Sequence, residues 1–131
     1  VHSIGRIGTL ADTLSWEDFA SLVKIAFARS QPRFGGARKA TDSRVALCTG
    51  SGAEFIGVAA SAGADVYITG DVKYHDMQLA KEMGITVVDA GHFGTEEGAA
   101  ALLAAQININ LAEAEKSVPV TVFNGQEDFF F

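Results

Sequence analysis

Three times between residues 44 and 98 an apolar run ends in glycine or polar residues and gives way to a helix-forming stretch, and this recurrence limits the fold more than any other feature of the chain. Arg44 to Thr49 is followed by Gly50-Ser51-Gly52 and a helical stretch from Ala53 to Ala62. Asp65 to Thr69 is followed by Gly70-Asp71 and a helix from His75 to Met83, closed by Gly84. Ile85 to Ala90 is followed by Gly91-His92 and a helix from Glu96 to about Glu115. Strand, turn and helix in that order are βαβ units, and right-handed crossovers between such units make the strands parallel. The expected fold is α/β, a three-layer sandwich with a mostly parallel sheet and helices on both faces.

The flanks complete this frame. Val1 to Leu10 alternates loosely and is broken by Gly5 and Gly8, as in a short edge strand. Ser15 is placed to cap a helix that runs to about Ala28, with Asp18 at the capping-box position and Leu14 and Phe19 spaced as a hydrophobic staple. Phe19, Leu22, Val23, Ala26 and Phe27 recur at helical spacing and predict its buried face. Gln31 to Ser43 contains Pro32, Gly35 and Gly36 and reads as a loop. Its basic residues Arg33, Arg38 and Lys39 suit either a solvated connector or a phosphate-binding segment. The stripe of the last helix, Ala99, Leu102, Leu103, Gln106, Ile107 and Leu111, is expected to pack on the sheet. Pro119 to Phe123 reads as a final edge strand, and Phe129-Phe130-Phe131 is expected to pack on this domain or a neighbour.

A chain of 131 residues with 48% hydrophobic residues can bury a core as one domain without disulfides. Its formal charge of −6 repels phosphate backbones and anionic lipid, which argues against nucleic acid and membrane and favours small-molecule or protein partners, a local basic patch apart. The single cysteine, Cys48, has apolar flanks and reads as a packed strand residue in a reducing compartment. The expectation is a soluble, cytoplasmic protein. The start at Val1, without methionine, suggests a processed or trimmed product.

In a parallel sheet, ligands bind beyond the carboxyl ends of the strands. Three such ends bring Gly50-Ser51-Gly52, Asp71 with His75, and His92 with Glu96 to one rim. An imidazole and a carboxylate four residues apart suit one divalent metal, with zinc, iron, nickel, copper and manganese all open. The competing reading makes Thr95 a helix cap, Glu96 and Glu97 partners of the helix dipole, and His92 a solvated loop residue. The glycines of Gly50-Ser51-Gly52 serve either an anion cradle or a close pass of the backbone; the turn lacks the full dinucleotide and P-loop patterns.

The segments Val45 to Gly52, Gly63 to His75 and Asp89 to Glu96 resemble the Nif-three-like (NGG-one-interacting-factor-three-like) dinuclear-metal family, many of whose members are named type-two GTP cyclohydrolase homologues. Gly5-Arg6-Ile7-Gly8 and the following helix also look like the lead-in to that family's C-terminal half, so the resemblance covers nearly the whole chain. It implies two metals held between two α/β halves, with His92 and Glu96 as the C-terminal half's ligands. Asp71, His75, Gly50, Ser51 and Gly52 would then support those ligands or contact substrate. The paired-histidine motif and aspartate of the family's N-terminal half are not matched here, so residues 1–131 look like the C-terminal domain of a longer protein. The resemblance further implies ring-shaped homo-oligomers and a metal-dependent hydrolase acting on a small molecule or nucleotide. A non-catalytic metal-binding regulatory or interaction module is the alternative.

Overall fold

The computed structural model describes residues 4–130, so the first three positions of the expected N-terminal strand, and Phe131, lie outside the described residues. Five strands form one sheet: β1 (Arg6–Ser15), β2 (Arg33–Gly36), β3 (Thr41–Ser51), β4 (Val66–Gly70) and β5 (Thr86–Asp89), in the spatial order β1-β3-β4-β5-β2. The three central strands pair in parallel, with Val45 opposite Val66 and Val66 opposite Thr86. Both edges are antiparallel, β1 on β3 and β2 on β5.

Alternation along the buried strands assigns the faces, because successive side chains point to opposite sides of a sheet. Val66, Ile68 and Val88 point to one side and join Phe19 and Val23 of helix α1 (Trp16–Ala26). Tyr67 and Val87 point to the other and join Ile56 and Ala59 of α2 (Ile56–Ser61) and Ala80 of α3 (Tyr74–Glu82). The result is the three-layer α/β arrangement expected from the βαβ units. Helix α1 starts where its caps say it should: the Ser15 hydroxyl accepts from the Asp18 N–H at 3.2 Å and donates to the Asp18 carboxylate at 2.7 Å. Leu14 and Phe19 meet in the same cluster. Cys48 is buried on β3, as its apolar flanks suggest.

Four expectations fail. The stretch from Gln31 to Ser43 is not all loop, because Arg33–Gly36 adds to the free edge of β5 and Thr41 onward belongs to β3. Its glycines misled because they serve close packing here: Gly35 lies against Met77 of α3, and Gly36 takes a φ of +80°. The terminal helix begins at His92, not Glu96, as α4 (His92–Glu96) followed by α5 (Gly98–Glu113). None of α5 is buried, so its apolar residues do not pack on the sheet; α1 already covers one face and α2 with α3 the other. Pro119 to Phe123 forms no strand; Phe129 and Phe130 are exposed on this domain, which leaves a neighbour as the other expected place for them. Pro119 withholds a backbone donor, which leaves a run of five residues little to add to a ladder.

Candidate functional site

The carboxyl ends of β3, β4 and β5 converge through glycine. Helix α4 crosses above them so closely that a Cβ on Gly70 would sit 2.7 Å from the backbone of Gly91 and His92. A Cβ on Gly50 would sit 2.6 Å from Glu96 Oε1 and 3.3 Å from His92 Nε2. Gly50 also holds a φ of +67°, which a side chain would strain. Its N–H donates to Thr95 Oγ1 at 2.9 Å, and its carbonyl accepts from the Thr69 hydroxyl at 3.2 Å. Glycine at position 50 therefore lets the His92 and Glu96 side chains lie on the strand end, and Thr95 ties the helix to it.

His92 is fixed from two sides. Its Nδ1 lies 2.6 Å from Asp71 Oδ2, and its Nε2 lies 3.4 Å from Glu96 Oε2. An ionised carboxylate only accepts, so Nδ1 carries the proton it gives to Asp71. Asp71 takes a left-handed φ of 56° directly after Gly70, a conformation that turns its carboxylate toward the imidazole. The hydrogen bond that His92 gives to Asp71 raises the His92 pKa above the ordinary histidine value; desolvation opposes this, and the charges of Glu96 and Asp71 add to it.

Neutral His92 would present an Nε2 lone pair to a carboxylate oxygen, and two acceptors face to face need a cation between them. Either a proton on Nε2 or a metal ion meets that need. Two ligands each about 2.0–2.2 Å from a tetrahedral ion stand roughly 3.3–3.5 Å apart, which the observed 3.4 Å matches. A carboxylate on the far ring nitrogen is also the usual way a metal-binding histidine is oriented. The pair therefore fits a divalent metal as part of a coordination shell. Among the described residues no group of three or more His, Cys, Asp and Glu side chains is arranged to hold an ion.

The other sequence-predicted residues divide. His75 stands on the first turn of α3, at the same rim by position, with its ring edge-on to Tyr74 at 5.5 Å. No hydrogen bond joins it to the His92 group among the described residues. Ser51 is exposed at the end of β3. Gly52 faces inward, where its carbonyl accepts from the Tyr67 hydroxyl at 2.8 Å, and burial pushes the Tyr67 pKa up to about 12. Thr95 is not the helix cap, since Gly91 occupies that position and the Thr95 hydroxyl donates to the His92 carbonyl at 3.0 Å. Glu97 pairs with Arg29 at 2.7 Å.

Sequence reasoning overlooked Arg33 and Asp89 as neighbours of the site. They are opposite one another in the β2–β5 register, and the Arg33 guanidinium pairs with Asp89. The three basic residues of the supposed loop have separate partners: Arg38 pairs with Glu17 and lies over Trp16, whereas Lys39 pairs with Asp65. Only Arg33 of the three lines the cavity of about 520 Å³ beside His92. The alternation of Phe34 into the core was the available sign that this segment is a strand.

Comparison with known proteins agrees with this architecture. The family model described as Duf34/NIF3 (NGG1p interacting factor 3) matches residues 1–128. A protein of Listeria innocua named GTP cyclohydrolase 1 type 2 homolog is 43% identical over 91 residues, which are 70% of this chain and 24% of that protein. A Nostoc protein of the same name is 33% identical over 128 residues, 95% of this chain and 46% of its own length. The crystal structure of a Bacillus cereus protein related to NIF3 superposes with a TM-score of 0.83 at 28% identity, covering 98% of this chain and 35% of that one. The chain thus spans less than half the length of these relatives. Among the described residues no helix is long and apolar enough to cross a membrane. With the family model spanning residues 1–128 and the fold superposing on that of a NIF3-related protein, the chain belongs to the Duf34/NIF3 family.

Proposed function

We infer that this chain supplies part of a divalent-metal site, with His92 Nε2 and Glu96 as its ligands and Asp71 as the group that orients His92. The observation that carries the reading is the 3.4 Å approach of two acceptors over Gly50, a spacing that a shared metal ion satisfies. A bound divalent metal, or a pair of them, would lower the pKa of a water and polarise a substrate oxygen. This chain's own residues then have three tasks. Glu96 and His92 present an oxygen and a nitrogen to the ion. Asp71 keeps the Nδ1 proton, so that Nε2 stays the free lone pair. Gly50, Gly70 and Gly91 bring backbone rather than side chains to the ligands.

The reaction class proposed is metal-dependent hydrolysis of a small molecule or nucleotide, supported by the name GTP cyclohydrolase 1 type 2 homolog that the relatives carry. A fold transfers a site more safely than a substrate, so a nucleotide is proposed only as the first class to test. A second reading, a non-catalytic metal-binding regulatory or interaction module, is favoured by one observation: no third ligand converges among the described residues. Self-association is proposed with either reading, supported by exposed Leu102, Leu103, Ile107 and Ile109 on α5.

Metal-loaded protein of the relatives' full length, containing these residues, should be incubated with GTP and a panel of other nucleotides and followed by mass spectrometry. Product that disappears with chelator supports the hydrolase. No product across the panel, from protein that still binds metal, overturns it in favour of the second reading.

A further inference from the structure

Beside His92 and Asp71 lies a cavity of about 520 Å³, within the size range of small-molecule sites. Its wall is formed in part by Arg33, Asp71, Lys73, Asp89 and His92. The carboxylates around it are already engaged. Asp71 accepts from His92 at 2.6 Å. Asp89 pairs with Arg33 and accepts from the Gly91 N–H at 3.1 Å. Asp128, from the C-terminal segment, accepts from the Phe130 N–H at 3.1 Å.

The cations are less fully used. Lys73 is exposed, and its ammonium has no ion pair among the described residues. Arg33 makes both of its contacts, to Asp89 and to the Val72 carbonyl, through the single nitrogen Nη2. With 72% of that side chain exposed, the remaining N–H donors of its planar fork are open to a ligand. An acidic protein therefore carries, at this one rim, a cation without an ion pair among the described residues, Lys73, and a second, Arg33, whose pair with Asp89 uses only one nitrogen of its fork.

We propose that Lys73 and Arg33 form a subsite for an oxyanion, the phosphoryl or carboxylate group of a small-molecule substrate whose reacting atom lies at His92 and Glu96. The role as a substrate subsite rests on the metal-site reading; anion binding itself does not. Lys73 supplies a mobile point charge, and Arg33, held in place by Asp89, supplies a directional pair of donors. The juxtaposition also gives Asp89 a role, since a buried carboxylate anchoring one guanidinium nitrogen leaves the others aimed outward.

The test uses the isotopically labelled 131-residue chain without metal, titrated with inorganic phosphate and, separately, with acetate while amide NMR signals are followed. Saturable shifts at Lys73, Gly91 and His92 are expected, with affinity roughly fivefold weaker or worse in Lys73→Gln, as a charge-assisted contact warrants. Lys81→Gln, on the last turn of α3, should leave binding unchanged. Tighter binding of phosphate than of acetate marks a phosphoryl group, and the reverse marks a carboxylate. Glu96→Ala removes a proposed metal ligand that does not line the cavity, so retained phosphate binding there separates this subsite from the metal reading. Absence of saturable shifts, or equal weakening by Lys73→Gln and Lys81→Gln, would overturn the proposal.

Discussion

Gly50 shows how a residue with no side chain governs those that have one. Its φ of +67° and the 2.6 Å approach of Glu96 Oε1 to a would-be Cβ make Gly50→Ala costly twice over. Chemical denaturation should show a loss of about 1–3 kcal/mol, and Glu96 should be displaced from His92. Asp65, at the opposite end of the sheet, tests electrostatics away from the site. Burial opposes its ionisation, but the Lys39 ammonium and the N–H groups of Arg44 and Ser43 draw its pKa down to about 2. A depressed carboxylate stabilises the fold fully above its unfolded pKa and loses that contribution as pH falls through the folded value. Asp65→Asn should therefore flatten the decline of melting temperature between about pH 4 and pH 2. At neutral pH it should cost on the order of 1 kcal/mol, discounted for the exposed part of the side chain. Nearby Asp42 has the opposite sign: burial and the charge of Asp65 raise its pKa, and neither side-chain oxygen has a hydrogen-bond partner among the described residues. Asp42→Asn should raise stability at pH 8 relative to pH 3. At this scale the sequence was legible where a residue type is rare in its setting, as with His92 after Gly91. It was opaque where one residue does two tasks, as with Thr95, whose hydroxyl bridges α4 and β3.

At the scale of elements, legibility followed burial. β4 and β5 are apolar runs because both faces are covered, and their positions could be read almost to the residue, whereas β3, buried only at alternate residues, starts three residues before the expected Arg44. β2 was missed because an edge strand of four residues with two glycines carries a turn's composition. The terminal helix was anticipated, though it starts at His92 and breaks before Gly98, and its packing was read wrongly. Its apolar residues recur at helical spacing, but spacing alone could not say whether that stripe is covered, and no residue of the helix is buried. An uncovered helix opens easily, so in dilute solution α5 amides should exchange far faster than those of β4 and β5. Raising the concentration should slow that exchange if copies of the chain cover the helix. Leu102→Lys with Leu103→Glu should then abolish association in sedimentation velocity while leaving the thermal unfolding of the domain nearly unchanged. A monomer at every concentration would contradict self-association through α5.

For the whole molecule, the sheet brings together residues distant in the chain, Gly50, Asp71 and His92 with Glu96, at the rim where parallel strands end. That convergence could be anticipated from the βαβ order, because parallel strands place all their carboxyl ends on one side. The cavity lined by Arg33 could not, since it depends on β2 reaching the far edge. The two proposed ligands, His92 and Glu96, would leave at least half of a tetrahedral shell to water, so on this proposal the isolated chain should bind a divalent ion weakly and should not catalyse. The direct measurement is calorimetric titration of zinc, manganese and iron(II) into the 131-residue chain and into His92→Ala and Glu96→Ala. Weak binding that is lost in both variants is the expected result. Tight stoichiometric binding that persists unchanged in both would contradict the assignment of His92 and Glu96 as the ligands.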